Sequence, residues 1–254
     1  MSLLQREFLD KGFCIIKSNV TKLLPKIEKI INELNVIGKS IEPSFNLFET
    51  ESVKSANTKK FYKAIRYTIG LYNLAISNEL IKTSSELGCK IPVLNSSYVR
   101  VDIADEKEHA FGWHQDGPCI MGSMTNSISF WVPCIDVSKE VGSLEIIESS
   151  HLSGIIASKC ETGEDPLTSG KLIIDEKDAP KGKRIILNLN KGEYLAFHPL
   201  LVHRSYYPNK SSITRVTATV RHDDISDKKH RENGFIQGSD NKNINSASQY
   251  RKLI

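Results

Sequence analysis

The chain has 254 residues, a formal net charge of +4, and ordinary fractions of hydrophobic (39%) and charged (25%) residues. This length suits one large domain with its own core, and no window reaches the roughly 18 uninterrupted apolar residues of a membrane span. Lysines are mixed with acidic residues and form no basic stripe with aromatics, so neither nucleic acid nor a membrane is an expected partner. We expect a globular protein that acts on a small molecule, for which the mild positive charge favours an anion.

The cysteines indicate a reducing compartment. All five are spread along the chain without a CxxC pair: Cys14, Cys89, Cys119, Cys134 and Cys160. Their odd number and wide spacing argue against a disulfide framework or a zinc–thiolate site. The N-terminal "MSLLQREFLDKGF" carries charges where a secretory signal needs an apolar segment. We therefore expect a cytoplasmic protein.

The first part of the chain has a helical pattern after one short strand, "GFCIIK", at 12–17. The segment "TKLLPKIEKIINELNVIG" has apolar residues at three- and four-residue spacing, which predicts a helix capped by Thr21 and stopped at Gly38. A second helical region runs from about Asn57 to Leu87. Its pattern is interrupted near Gly70, so two helices are expected there.

From about Val93 the pattern changes to short β-branched and aromatic runs separated by turn residues. These runs are "SSYVRVDI", "AFGWHQ", "SISFWVPC", "SLEII", "RIILNL", "EYLAFH", "LLVHRSYY" and "TRVTATVRH". Roughly eight short strands at this spacing predict an all-β sandwich or barrel. The stretch from Leu152 to Lys183 has few strand signals and many charges, which is typical of a functional or disordered loop.

The sequence contains no internal repeat and no linker, so one domain over residues 1–254 is expected. Its parts are a mainly helical support (1–92), a β-barrel core (93–222) and a polar C-terminal extension (223–254).

The stretch "GWHQDGP" contains the pattern of a metal site. In an extended segment His114 and Asp116 point to the same face while Gln115 points away, which pairs a neutral nitrogen with an anionic oxygen ligand. Two ligands leave a divalent metal weakly held, so a third is needed. The downstream candidates are His151, His198, His203 and His222.

His203 is the favoured third ligand. It lies in the strand-like run "LLVHRSYY", and Arg215 follows it after 12 residues, a distance that suits two adjacent strands and their turn. Two histidines and one carboxylate form the facial triad of non-haem Fe(II) oxygenases. Three open positions then remain for a chelating 2-oxo acid and O₂, and an arginine nearby can bind the far carboxylate of 2-oxoglutarate.

Four segments together resemble the successive motifs of the phytanoyl-CoA dioxygenase (PhyH-like) family: "GWHQDGP", "GSLEIIESSH", "GEYLAFHPLLVHRS" and "RVTATVRH". The opening "REFLDKGFCIIKSNV" resembles the start of that family, so the likeness extends to about Asp223. It implies a double-stranded β-helix (jelly-roll, cupin-like) fold that is mainly β with flanking helices. It also implies an Fe(II)- and 2-oxoglutarate-dependent dioxygenase that uses O₂ and releases succinate and CO₂.

The resemblance implies that His114, Asp116 and His203 bind iron and that Arg215 binds 2-oxoglutarate. The chain departs from the family in two places that concern the co-substrate. The interval from the second histidine to the arginine is one residue longer, and a frequent glutamine on the preceding strand is replaced by Ser97. Further candidates for holding the co-substrate are therefore Tyr98, Arg100 and Thr217.

The presence of Asp116 favours hydroxylation of a C–H bond over halogenation, since related halogenases have a small residue there. The expected substrate is a small polar or anionic metabolite. Two other functions stay open: a cupin-like metal-binding or sugar-processing protein that does not use 2-oxoglutarate, and a catalytically silent binding protein.

Overall fold

The computed structural model describes residues 1–55, 58–66, 68–103, 110–117, 126–160, 172–208 and 213–232. These residues form antiparallel β-sheets flanked by helices, so the predicted mainly β class with flanking helices is confirmed. None of the described helices is long and apolar enough to span a bilayer.

The helices precede most of the strands. They are α1 (Leu3–Lys11), α2 (Val20–Ile41), α3 (Thr50–Ser55), α4 (Thr58–Ile65), α5 (Ile69–Ala75), α6 (Asn78–Leu87) and, near the end of the described chain, α7 (Lys228–Glu232). A single turn of 3₁₀ helix lies at Ser150–Ser153.

The strands form one large and one small sheet and a two-stranded ribbon. They are β1 (Phe13–Ile16), β2 (Pro92–Asp102), β3 (Ile128–Pro133), β4 (Ser143–Ile147), β5 (Lys159–Cys160), β6 (Leu172–Ile173), β7 (Arg184–Ile186), β8 (Tyr194–Phe197), β9 (His203–Tyr206) and β10 (Arg215–Asp224). The large sheet has the order β1-β8-β3-β10-β2, the small sheet β7-β4-β9, and β5 pairs with β6.

The helices cover one face of the large sheet. Alternate residues of β10, Val216, Ala218 and Val220, enter the same buried cluster as Leu23 and Ile27 of α2. Their neighbours along the strand must then point to the opposite face. Arg215, Thr217, Thr219 and Arg221 of β10 are therefore directed away from the helices.

The opposite face of the large sheet packs against the small sheet. Trp131 of β3 and Phe197 of β8 share a buried cluster with Leu144 and Ile146 of β4. The molecule thus has a helical layer, a five-stranded layer and a three-stranded layer. The space between the two sheets also receives the polar face of β10.

The sequence predicted the strands better than the helix boundaries. Strands occur in nearly all the predicted runs, including "GFCIIK" as β1. Helix α2 begins at Val20, before Thr21, and continues past Gly38 to Ile41. Gly38 does not end the helix; it makes room for the ring of Phe45, whose nearest carbon would lie 2.1 Å from an added Cβ.

The region predicted as two helices contains three, α4, α5 and α6. The break expected near Gly70 was slightly misplaced, because Gly70 lies in the first turn of α5 and the chain turns just before it. Gly70 packs closely on α2, where an added Cβ would meet the backbone nitrogen of Ile30 at 2.9 Å.

Two expectations about the strands were wrong, one about where a strand forms and one about which strands pair. The run "AFGWHQ" forms no regular strand and contributes only a bridge between His114 and His203. Strands β9 and β10, expected to be adjacent, lie in different sheets, because β9 pairs with β4 while β10 lies between β2 and β3.

Residues 161–171 of the expected 152–183 loop lie outside the described residues, as does the extension beyond residue 232. The described parts of the loop include β5 and β6, which pair with each other. In the extension, His230 of α7 is buried near Asp223, with Nε2 4.0 Å from the carboxylate.

Candidate metal and co-substrate site

His114 and His203 lie directly opposite each other on neighbouring extended segments. Each backbone N–H donates to the other residue's carbonyl, at 3.0 Å from His114 and 3.1 Å from His203. This is the hydrogen-bonded pair of an antiparallel ladder, which places both side chains on one face. Their ring centroids are 4.0 Å apart.

Both imidazoles are oriented by the backbone in the same way. His114 Nδ1 is 2.8 Å from the carbonyl oxygen of Gly112, and His203 Nδ1 is 2.9 Å from that of Leu201. A carbonyl only accepts, so in both rings Nδ1 carries the proton and Nε2 has a free lone pair. This is the usual way in which a histidine is prepared to bind a metal through Nε2.

Asp116 completes the group. Its Oδ1 is 4.0 Å from His114 Nε2 and 3.9 Å from His203 Nε2. One ligand atom from each of the three residues lies within 4.8 Å of the others. The structure thus brings together the three residues that the sequence singled out.

Burial keeps the two rings neutral. It lowers the pKa of His114 to about 3, with a further contribution from the neighbouring His203, and it lowers the pKa of His203 as well. For Asp116, burial alone would raise the pKa, but the charge of Arg221 outweighs it and holds the pKa well below its usual range. All three groups are therefore in the protonation state that metal binding requires at neutral pH.

Arg221 of β10 holds the carboxylate of Asp116 with two hydrogen bonds. Its Nε donates to Oδ2 at 2.9 Å and its Nη2 donates to Oδ1 at 2.8 Å. The hydroxyl of Ser129 on β3 donates to Oδ2 at 2.7 Å. Tyr98, one of the candidates for holding the co-substrate, accepts a hydrogen bond from Arg221 Nη2 at 3.0 Å through its hydroxyl.

Arg215, predicted to bind the co-substrate, lies at the other end of the same face of β10. Its Nη1 donates to the carbonyl of Ser143 at 2.7 Å, and its Nη2 donates to Asp102 at 2.9 Å and to the Tyr207 hydroxyl at 3.2 Å. Its Nε is buried without a hydrogen-bond partner in the described structure. Arg215 therefore combines a structural ion pair with one donor still available.

The two remaining candidates for the co-substrate, Arg100 and Thr217, differ in their hydrogen-bond partners. Arg100 binds Asp102 through Nη2 at 2.6 Å and Nε at 3.1 Å, so it supports the ion pair of Arg215. Thr217 lies between Arg215 and Arg221 on their face, and its buried hydroxyl contacts no polar partner among the described residues. Of the four candidates, Arg215 and Thr217 thus present the unsatisfied donors.

Ser97, the residue at the place of the expected glutamine, lies on the helix-facing side of β2. Ser97 is paired with Val220, whose side chain packs towards the helices, whereas its neighbour Tyr98 contacts Arg221. Because side chains alternate along a strand, Ser97 points away from the triad.

Arg221 and Ser129 were missed in the sequence. A signal existed for Arg221, because an even separation of six residues from Arg215 puts both on one face of a strand. Its contact with Asp116, however, depends on how β10 packs against the segment from His114 to Asp116 (the HxD segment). No local sequence pattern predicts that packing. Ser129 gave no signal, since serine is common in such runs.

The other histidines have structural contacts. His151 Nε2 donates to the carbonyl of Leu9, and His198 Nδ1 accepts from the backbone N–H of Leu200. His222 faces the helices, where it bonds Ser84. None of the three belongs to the potential metal-ligating group found among the described residues.

Gln115 points away from the triad, as predicted, and anchors the HxD segment. Its amide nitrogen donates to the carbonyls of Leu200 and Gly154 at 2.7 and 2.9 Å, and its oxygen accepts from the backbone N–H of Ile156 at 3.0 Å. The same segment is tied to the 172–176 region by Trp113, whose ring nitrogen donates to Glu176 at 2.8 Å. These contacts fix where the two ligands of the HxD pair lie.

The donor set fits a divalent metal. A metal bound at about 2.1 Å by ligands at right angles needs ligand atoms about 3 Å apart. Asp116 Oδ1 lies 4.0 Å from His114 Nε2 and 3.9 Å from His203 Nε2. Movements of about 1 Å or less would shorten these two distances to the required value. Two neutral imidazoles and a carboxylate are the ligand set of non-haem iron in oxygenases.

The comparisons with known proteins identify the family. The model of phytanoyl-CoA dioxygenase (PhyH) matches residues 8–217. The chain belongs to this family. The family assignment made from the four motifs is thereby confirmed, together with the enzyme class, a dioxygenase. Arg221 lies just beyond the matched segment. A search of curated protein sequences finds no match.

Solved structures show the same fold at low sequence identity. The non-haem monooxygenase ThoJ is 15% identical, with 86% of this chain and 76% of that one covered and a TM-score of 0.57. The epimerase SnoN, solved with Fe³⁺, alpha-ketoglutarate and nogalamycin RO, is 16% identical, with coverages of 87% and 82% and a TM-score of 0.56. EctD from S. alaskensis, solved with 2-oxoglutarate and 5-hydroxyectoine, is 14% identical, with coverages of 89% and 77% and a TM-score of 0.56.

Proposed function

We propose that the protein is an Fe(II)- and 2-oxoglutarate-dependent dioxygenase that hydroxylates a C–H bond of a small anionic metabolite. The observation that carries this proposal is the convergence of His114, Asp116 and His203, with both Nδ1 atoms bonded to carbonyls and both Nε2 atoms available. Family membership and the iron and 2-oxoglutarate bound by solved relatives support the same cofactors.

In this proposal the three residues hold iron on one side. Iron with 2-oxoglutarate and O₂ supplies the oxidising chemistry, in which one oxygen atom enters the substrate C–H bond and the other enters succinate as CO₂ is released. The contribution of the protein is to position the reactants and to exclude water. Burial of the triad between two sheets supports the second role, since Asp116 is only 1% exposed.

Arg215 and Thr217 are the proposed contacts for the far carboxylate of 2-oxoglutarate. Both have a buried polar atom without a partner in the described chain, Nε of Arg215 and Oγ1 of Thr217, and a carboxylate supplies the missing acceptors. Arg215 keeps its ion pair with Asp102 in this arrangement, so the co-substrate adds to the existing contacts instead of replacing them.

The charge of the inner face favours an anionic substrate. Around the triad and the proposed co-substrate position, Arg100, Arg215 and Arg221 lie beside two carboxylates, Asp102 and Asp116, whereas Asp223 lies farther along β10 and accepts a hydrogen bond from Ser127. A divalent metal adds two positive charges and 2-oxoglutarate removes two, so the groups around the triad keep one positive charge in excess. In a buried site this excess favours a substrate with a negative group.

The finer fold assignment, a double-stranded β-helix, belongs to the same proposal. It is supported by the position of the triad. A β-bridge joins His114 to His203, the first residue of β9 in the small sheet, and Ser129 of the large sheet donates a hydrogen bond to Asp116. The expected cytoplasmic location also stays a prediction. Three buried free cysteines, Cys14, Cys89 and Cys134, accord with a reducing compartment.

The direct test is succinate release from 2-oxoglutarate, measured with Fe(II) and with the metal removed by chelation. We expect turnover that requires Fe(II) and is lost in His203→Ala. The matched control is His198→Asn, which changes a histidine outside the triad and should retain turnover. Wild-type activity in His203→Ala would contradict the ligand assignment.

The same assay separates the main alternative, a cupin-like metal-binding or sugar-processing protein. That alternative predicts a metal-binding protein that forms no succinate and whose properties do not depend on Arg215.

A further inference from the structure

We propose that Arg221 is a positioning residue that, with Ser129, restricts Asp116 to binding the metal through one oxygen. The inference rests on the proposed function and concerns the oxygen atoms of a single carboxylate. Oδ2 accepts two hydrogen bonds, from Arg221 Nε at 2.9 Å and from Ser129 Oγ at 2.7 Å. Since a carboxylate oxygen has two lone pairs, Oδ2 has none left for a metal.

Oδ1 is in a different situation. It accepts from Arg221 Nη2 at 2.8 Å and faces the Nε2 atoms of His114 and His203 at 4.0 and 3.9 Å. Its second lone pair is thus the one that Asp116 offers to the metal. The carboxylate is held as a one-oxygen ligand before any metal binds.

Arg221 is itself held rigidly enough to impose this geometry. Its side chain is only 3% exposed, Tyr98 accepts a hydrogen bond from Nη2 at 3.0 Å, and the Tyr98 ring lies 5.1 Å from the guanidinium carbon. A planar guanidinium can bond both carboxylate oxygens side by side, whereas the point charge of a lysine cannot.

The consequence concerns the open positions of the metal. Three single-atom ligands leave three positions of a six-coordinate ion free, which are the two that a chelating 2-oxo acid needs and one for O₂. A carboxylate that bound through both oxygens would occupy one of these three. Arg221 and Ser129 therefore keep the co-substrate position open.

The test uses the Co(II)-loaded protein, which reports coordination without turnover. We would compare the wild type with Arg221→Gln, Arg221→Lys and Ser129→Ala by visible absorption of Co(II) and by the Kd for 2-oxoglutarate. We expect both Arg221 variants to change the Co(II) spectrum and to raise that Kd at least tenfold. Ser129→Ala should change both in the same direction by less, and Arg6→Gln, on the exposed surface of α1, should change neither.

Ser129→Ala carries the test if the Arg221 variants do not fold, because it removes one of the two bonds to Oδ2 and leaves the ion pair. Folded variants with the wild-type spectrum and the wild-type Kd would overturn this inference and leave the proposed function intact. A wild-type protein that binds neither Co(II) nor 2-oxoglutarate would overturn both.

Discussion

Arg215 and Arg221 lie six residues apart on one face of β10, yet they have different tasks. Arg221 contacts the metal-ligand carboxylate Asp116, and Arg215 contacts Asp102 at the far end of the strand. Because side chains alternate between the two faces of a strand, residues six apart are predicted to point to the same face. This alternation does not predict which carboxylate each meets, because that depends on segments distant in the sequence. This is why the triad could be predicted from its motif, whereas the two hydrogen bonds from Arg221 to Asp116 could not.

Replacing Arg215 tests its part in co-substrate binding. Arg215→Gln removes the charged donor, while Asp102 keeps its bonds to Arg100. Charged hydrogen bonds contribute about 1.5–3 kcal/mol, so we expect the Kd for 2-oxoglutarate to rise roughly 10- to 100-fold. Binding to the Co(II)-loaded protein measures this. A folded variant with unchanged affinity would assign the far carboxylate to other residues.

The pH dependence of stability tests the burial of His198. Burial lowers the pKa of His198 to about 4, so the folded protein leaves it neutral while the unfolded chain takes up a proton below about pH 6.5. The unfolded state then binds more protons, and stability is lost as the pH falls from about 6.5 to 4.

We expect this group to account for up to about 3 kcal/mol of that loss. Urea unfolding of the metal-free protein at several pH values measures it, and His198→Asn, which cannot titrate, should show a shallower dependence. Identical curves for the two proteins would show that His198 is protonated equally in both states.

At the level of elements, the strands were predictable because their alternation is local, whereas their pairing was not. The runs that became β9 and β10 were recognised, but β9 pairs with β4 and β10 with β2 and β3. Because these two runs follow each other in the sequence, a hairpin was expected. Being neighbours in the sequence is not enough to establish that two strands pair. Gly38 shows the same limit, since its role is a contact with Phe45 that lies outside the helix.

The turn between α1 and β1 supports the segment that presents His203. Gly12 has φ +83°, and a Cβ there would lie 2.4 Å from His151 Nδ1 and 2.9 Å from Leu201 Cδ1. Leu201 in turn provides the carbonyl that orients His203. Packing at this turn is therefore connected to the geometry of the metal site.

We expect Gly12→Ala to lower the free energy of unfolding by about 3 kcal/mol, from backbone strain and from overpacking. The matched control is Gly88→Ala, at another left-handed helix C-cap (φ +118°), where the added Cβ would meet only the flexible side-chain end of Gln5, at 3.3 Å. It should cost only the strain, about 1 kcal/mol. Chemical denaturation of both variants checks the difference, and equal losses would mean that the contacts around Gly12 adjust freely.

For the whole molecule, the layers explain why a polar site can exist inside the protein. The helices cover the apolar face of the large sheet, so its other face is available for the triad, the arginines and their carboxylates. Composition and strand pattern were enough to predict this class of architecture. The polar interior was predictable only through the metal motif.

Binding of metal should stabilise the whole fold, because the ligands come from segments far apart in the sequence. At 100 to 1,000 times the Kd, a ligand specific for the folded state adds about 3–4 kcal/mol. We expect Co(II) to raise the Tm of the wild type and chelation to reverse the rise, while His114→Ala shows neither effect. Equal Tm shifts in the two proteins would indicate that the metal binds elsewhere.

The central claim is that His114, Asp116 and His203 hold one ferrous ion that accepts a 2-oxo acid. Its most direct test is anaerobic titration of the protein with Fe(II) and 2-oxoglutarate, followed by the visible charge-transfer absorption of the chelated 2-oxo acid. We predict one equivalent of this absorption in the wild type and in His198→Asn, and none in His203→Ala. Full absorption in His203→Ala, or none in the wild type, would contradict the account.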